Sequence, residues 1–156
     1  ELKNIINTID NNHEYIIQKY IGSSDQEYTT TVYKNSENIK VITFKRTLDG
    51  DKTGYAAICH SEKLERYSKL IANEFSLDGS INIQSRMFGD DYYIFEINPR
   101  ISSTVYIRNH FYFTDLTWWI CDLYNIYFDN SLDEIKRNGI GVIGYTYAFY
   151  DDIIKK

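Results

Sequence analysis

The chain has 156 residues, of which 43% are hydrophobic and 25% charged, a balance that fits one globular domain and excludes a disordered chain. The formal net charge of −5 excludes a general nucleic-acid binder, which would be basic, but not a nucleotide site, where a few local cations and a metal ion suffice. No apolar run reaches the length of a membrane span, and Cys59 and Cys121 lie far apart with no CxxC pair, so a reducing, cytoplasmic setting is expected rather than a disulfide scaffold or a zinc site.

Residues 1–12 place Leu2, Ile5, Ile6 and Ile9 at helical spacing. Residues 15–21 read as a strand, ended by Gly22-Ser-Ser-Asp25. Residues 27–34, rich in Thr, Val and Tyr, read as a second strand, which turns at 35–38 and returns through 39–44. Residues 45–54 read as a polar loop. From Glu62 to Phe75 the pattern is an amphipathic helix, with Leu64, Tyr67, Leu70 and Ile71 on its apolar face and Ser61 as the cap. Residues 80–97 form a hairpin around Gly89-Asp90. Residues 114–127 read as an apolar helix, with Trp118, Trp119 and Tyr124 as core. A short helix over 131–137 and a last strand over 140–149 complete the chain. The sum is an α+β domain: an antiparallel β-sheet with packed helices.

The second hairpin carries the most chemistry. Set symmetrically about Asp90, it places Gln84 opposite Glu96 and Asn82 opposite Asn98. Alternation then gathers Asn82, Gln84, Arg86, Glu96 and Asn98 on one face, and Ile81, Ile83, Tyr93, Phe95 and Ile97 on the other. Directly opposed residues have Cβ atoms about 4.5–5.5 Å apart, so the oxygens of Gln84, Glu96 and Asn98 can reach one ion. Hard oxygen donors suit Mg²⁺. A solvated polar face is the plainer reading of the same alternation.

The string Phe95-Glu-Ile-Asn-Pro-Arg100 resembles the E-x-N-P-R signature of the ATP-grasp superfamily, in detail that of the carbamoyl-phosphate synthetase large subunit and its short relatives. The resemblance spans roughly residues 13–135 and implies an ATP-grasp C-terminal lobe. It implies that Gln84, Glu96 and Asn98 ligate Mg²⁺ (or Mn²⁺) and that Arg100 contacts the transferred phosphate. It implies an adenine hinge at Gln18, Lys19 and Tyr20, with Glu27 holding the ribose. Lys52 stands where those relatives carry a His, and the roles of Lys45, Arg46, Lys52 and His110 stay open. Cys59 and Cys121 read as packing residues.

The resemblance further implies that the chain is the later part of a domain whose upstream lobe and preceding domain are not in this sequence. Such half a cleft is expected to be a poor catalyst by itself. The expected partners are ATP, a small-molecule carboxylate, and the N-terminal lobe of the same protein. The abundant aromatic residues are expected to pack against that lobe or against another copy of the chain. The activity implied is that of a ligase: a carboxylate is activated by ATP as an acyl-phosphate, then attacked by an amine, ammonia or a thiol. Two alternatives stand beside it: a carbamoyl-phosphate synthetase fragment proper, and a non-catalytic interaction module that kept the fold.

Overall fold

The computed structural model describes residues 16–50, 52–128, 134–143 and 147–150. Among these residues seven strands form a single antiparallel sheet, in the order β5-β4-β1-β2-β3-β6-β7. The strands are β1 (Glu27–Lys34), β2 (Ile39–Asp49), β3 (Lys52–Ile58), β4 (Gly79–Phe88), β5 (Asp91–Asn98), β6 (Ile140–Ile143) and β7 (Tyr147–Tyr150). Three α-helices accompany them: α1 (Glu62–Glu74), α2 (Val105–His110) and α3 (Asp115–Tyr124). None of these helices is long and apolar enough to cross a membrane.

Strand β1 lies at the heart of the sheet because both of its edges are paired. Residues Glu27 to Tyr33 are all buried. Its even positions pack on one side, where Val32, Ile81, Ile83 and Ala72 form a core beneath α1. Ser61 caps that helix by accepting a hydrogen bond from the Leu64 backbone N–H at 3.3 Å. The buried positions of α1 are Leu64, Ser68 and Ala72, whereas Leu70, expected on the apolar face, is exposed.

The odd positions of β1 face the other side, which is divided. Toward the end of β1, Tyr33, Ile42, Phe44 and Ala56 pack under Ile107, Phe111, Phe113 and Trp118 from α2, α3 and their connection. Toward its start no helix among the described residues covers the sheet, and that half-face is polar. That division leaves an open cleft beside a fixed core.

Four sequence expectations change here. Residues 45–54 are not a loop: β2 runs on to Asp49, and β3 returns from Lys52. Residues 16–20 form no strand, and they are exposed beside β4 and β5. The last strand is two strands, β6 and β7. A helix at α2 was not foreseen, and the apolar helix ends at Tyr124, which is exposed rather than core. The helix expected over 1–12 and most of the one over 131–137 lie outside the described residues; residues 134–136 are not helical.

Candidate functional site

The polar half-face is built by register. Glu27 pairs with Arg46 on one side and Arg86 on the other. Thr29 pairs with Gln84, Gln84 with Glu96, and Asn82 with Asn98. The two hairpin pairings expected from the sequence are therefore present.

The route to them is different. The hairpin turn is two residues, Gly89-Asp90, with Phe88 opposite Asp91 and Gly89 at φ 60°. A regular ladder from that turn would set Phe95 opposite Gln84 and Glu96 opposite Ile83, on the apolar side. Instead the register shifts between Gln84 and Ser85, whose partners are Glu96 and Ile94. Phe95 is the extra residue of a β-bulge, and the bulge sets Glu96 and Asn98 on the polar side, with Glu96 lining the cleft. It also corrects two expected positions. Tyr93 is opposite Arg86, on the polar face, and the Phe95 ring lies under the Arg86 guanidinium at 4.7 Å. Ile94 takes the core position instead.

The resulting cleft has a volume of 360 Å³. Glu27, Thr29, Arg46, Gln84, Arg86 and Glu96 line its floor, and Arg100 and the 102–104 loop form one wall. Glu27 is buried, with 1% of its surface exposed. Its Oε1 accepts from Arg46 Nε at 3.0 Å and from Arg46 Nη2. Its Oε2 accepts from Arg86 Nε and Nη2, each at 3.1 Å. A carboxylate offers about four acceptor positions, and here the two arginines take four. Arg46 Nη2 also donates to Gln84 Oε1 at 2.7 Å. Asn82 Nδ2 donates to Thr29 Oγ1 at 2.6 Å.

The segment Gln18-Lys19-Tyr20 runs along the bulge. Gln18 Nε2 donates to the Phe95 carbonyl at 3.3 Å, and Tyr20 lays its ring over the Arg86 guanidinium at 4.3 Å. Both therefore touch residues that line the cleft, Phe95 and Arg86. Lys19 is exposed in the same segment. Arg100 is exposed, with Nη1 3.4 Å from the Ile101 carbonyl.

The wall of the cleft is fixed from behind. Arg108 and Asp115, both fully buried, form a bidentate pair, Nε to Oδ1 at 2.7 Å and Nη2 to Oδ2 at 2.8 Å. Arg108 Nη1 donates to Ser102 Oγ at 2.9 Å and Thr104 Oγ1 at 3.3 Å. Ser80 Oγ donates to Asp115 Oδ2 at 2.5 Å. One ion pair thus ties α2, α3, the start of β4 and the loop after Arg100 together.

Sequence reasoning left Arg46 as an open cation and gave Arg108 and Asp115 no role. Arg46 had a legible signal: an arginine one strand away from a Glu in an alternating Thr-rich segment. Lys45, its neighbour, points to the opposite side and donates to Gln26 Oε1 at 3.3 Å. The described residues do not include the Lys52 side chain. His110 ends α2 against the Phe111 ring, and does not line the cleft.

The donor chemistry decides what the cleft can hold. Among the described residues no three His, Cys, Asp or Glu side chains converge, so transition-metal or zinc sites of that kind are not formed. Glu96 has no ion pair or hydrogen bond among the described residues, and the buried Asn98 Nδ2 has no partner there. One free carboxylate beside amide groups, open to solvent, fits Mg²⁺, which keeps waters and shares phosphate oxygens. A second cleft of 510 Å³ includes Thr43, Cys59, His60, Ser61, Glu65 and Arg137. Its polar groups are largely spent: Thr43 bonds Thr30, Ser61 caps α1, and His60 Nε2 is 2.5 Å from the Arg137 carbonyl.

Comparison with known proteins agrees with the fold. The family model described as "ATP-grasp in the biosynthetic pathway with Ter operon" matches residues 11–114. The carbamoyl phosphate synthase large chain of Agathobacter rectalis is 32% identical over 114 residues, covering 67% of this chain and 11% of that protein. That of Clostridium acetobutylicum is 29% identical over 109 residues, covering 63% and 10%. Among solved structures, an ADP complex of N5-carboxyaminoimidazole ribonucleotide synthetase matches with a TM-score of 0.66 at 17% identity, covering 80% of this chain and 35% of that one. The phosphoribosylaminoimidazole carboxylase ATPase subunit from Aquifex aeolicus matches with a TM-score of 0.66 at 13% identity, covering 81% and 40%. The chain thus spans about a tenth of the curated relatives and well under half of the solved ones. The chain belongs to the ATP-grasp family, and its sheet and helices have the ATP-grasp fold.

Proposed function

We propose that the cleft is the metal-and-nucleotide half of an ATP-dependent ligase site, which activates a carboxylate for attack by an amine, ammonia or a thiol. The observation that carries this reading is the bulge at Phe95. It sets Glu96 and Asn98 on the polar side of the sheet, opposite Gln84 and Asn82, and Glu96 lines a cleft that already holds three arginines. A structural sheet face gains nothing from that expense.

Glu96 and Asn98, with Gln84 across the strand pair, are the oxygen set that would hold Mg²⁺ (or Mn²⁺). The ion would supply charge neutralisation for a triphosphate. Arg100 stands on the wall beside Glu96, where its planar fork can meet the moving phosphoryl group and offset the charge that develops there. The segment Gln18-Lys19-Tyr20 would read the adenine with backbone groups. Glu27 would meet the ribose, with a hydroxyl taking over one acceptor position from a guanidinium. The substrate carboxylate would enter as an oxygen nucleophile toward the γ-phosphorus, breaking the bond to the β-phosphate oxygen. Catalysis of this type is mostly positioning and charge stabilisation.

The described cleft is open on one side, so we infer that turnover needs a covering lobe supplied by the rest of the protein, as the short share of each relative suggests. Binding is the property to test first. Titration with a fluorescent N-methylanthraniloyl-ATP should give a Mg²⁺-dependent signal that Glu96→Ala loses by tenfold or more in affinity. Equal affinity in that variant would overturn the assignment.

A further inference from the structure

The outer face of α3 carries no charge. The helix buries Asp115 and Trp118 on its inner side. At 3.6 residues per turn, Leu116, Thr117, Ile120, Leu123 and Tyr124 then share the opposite side. The other acid of the helix, Asp122, is directed at β1 and the turn after it, where its Oδ2 accepts from the Tyr33 hydroxyl and from Asn35 Nδ2 at 3.0 Å. Helix α1 is different. It meets water with Glu62, Glu65 and Arg66, all exposed. A helix that is apolar all round is one that is buried all round, and α3 is covered on one side only among the described residues.

The size of the uncovered face is informative. Leu116 is 43% exposed, Ile120 44%, Leu123 66% and Tyr124 73%, and Ile126 and Tyr127 are exposed just beyond the helix. At about 150–250 Å² for a whole large side chain, these six present roughly 700 Å². The largest apolar patch of an ordinary monomer is about 300–600 Å². A stable two-protein interface takes about 800 Å² from each partner. Charge also bears on the occupant. Two copies of a chain with a formal charge of −5 repel each other wherever acids meet, and an uncharged face is where they can approach. A face with no charge offers nothing to select a charged partner, whereas a contact between identical patches requires only that the patch complement itself.

We propose that this face binds the same face of a second copy of the chain, α3 against α3 across a two-fold axis near Ile120. The contact is independent of the nucleotide site, since none of these residues lines the polar cleft.

Sedimentation velocity of the full chain, from about 1 to 100 µM, tests it. The wild-type protein should reach twice the chain mass and stop there, because a two-fold contact closes. Ile120→Glu and Leu123→Glu should each weaken the dimer at least tenfold. Leu70→Glu, at an exposed apolar position on α1, should leave it unchanged. A wild-type monomer throughout would overturn the proposal and leave the face to the covering lobe. Open-ended aggregates, or a dimer indifferent to both α3 variants, would overturn it as well. If the charged variants do not fold, Ile120→Cys in a Cys121→Ser background decides: mild oxidation should link two chains through residue 120, and no cross-link would refute the contact.

Discussion

The Arg108–Asp115 pair offers the sharpest energetic test. Both side chains are fully buried, and five hydrogen bonds converge on them from α2, α3, β4 and the 102–104 loop. Arg108→Met removes the positive partner and leaves Asp115 as a buried carboxylate with one Ser80 hydroxyl for company. Breaking such a pair from one side costs about 3–5 kcal/mol. For a chain of this size each kcal/mol lowers Tm by about 2–4 °C, so the variant should melt on the order of 10 °C lower. The double variant Arg108→Met/Asp115→Leu removes the stranded charge and should recover more than half of the loss. The Ser80, Ser102 and Thr104 hydroxyls keep it from full recovery. Urea denaturation with equal m-values in the three proteins gives the comparison. A single-variant loss under 1 kcal/mol, or a double variant no more stable than the single one, would refute the buried-charge reasoning.

Three further outcomes follow from the same structure. Gly79, at φ 111°, has no room for a Cβ, which would lie 2.4 Å from Trp119 Cε2; Gly79→Ala should cost about 2–3 kcal/mol in urea denaturation. Burial holds the Tyr28 phenol up at about 12, above its unfolded value, so the stability it contributes is complete below pH ~10 and is lost as pH rises toward 12. Tyr28→Phe should therefore fall less in stability than the wild type between pH 9 and about 11.5, and an equal fall would contradict this. Burial also pushes the Cys59 thiol up, against the opposing effect of Lys45. Its reaction with a thiol reagent at pH 8 should be slower than that of a free cysteine, and Cys59→Ser, which leaves only Cys121, shows which thiol reacts.

How much of this was legible depended on whether a residue's reason for its position was local. Strand β1 was readable because Thr, Val and Tyr fill both of its faces, and α1 because its cap and apolar stripe lie within the segment itself. The pairing of Gln84 with Glu96 was read correctly through an assumed symmetry. The molecule reaches it by a two-residue turn plus a bulge, which is why Tyr93 and Phe95 were expected on the wrong face. Strands of this sheet that carry charge were read as loop. Lys45 and Arg46 look like solvated cations until Glu27, 19 residues earlier on the adjacent strand β1 and directly opposite Arg46, gives it a buried partner. The same holds for α2. Nothing within Val105–His110 announces a helix, because Arg108 is held by Asp115 and by hydroxyls from two other segments. Residues 15–21 failed in the reverse direction: Ile16, Ile17 and Tyr20 look like a strand but stay exposed in the structure. The polar cleft itself was visible as a face of the hairpin, whereas its electrostatic centre, Glu27 between two arginines, required the sheet order.

The central claim is that nucleotide enters the 360 Å³ cleft on the polar half-face and not the larger one beside His60. Photolabelling of the full chain with 8-azido-ATP and Mg²⁺, followed by peptide mass spectrometry, tests it in solution. The account predicts label on the hinge and its neighbours, residues 16–27 and 84–96, reduced by excess ATP and by Glu96→Ala. Label concentrated on residues 58–65 or 134–137, indifferent to Glu96→Ala, would contradict it.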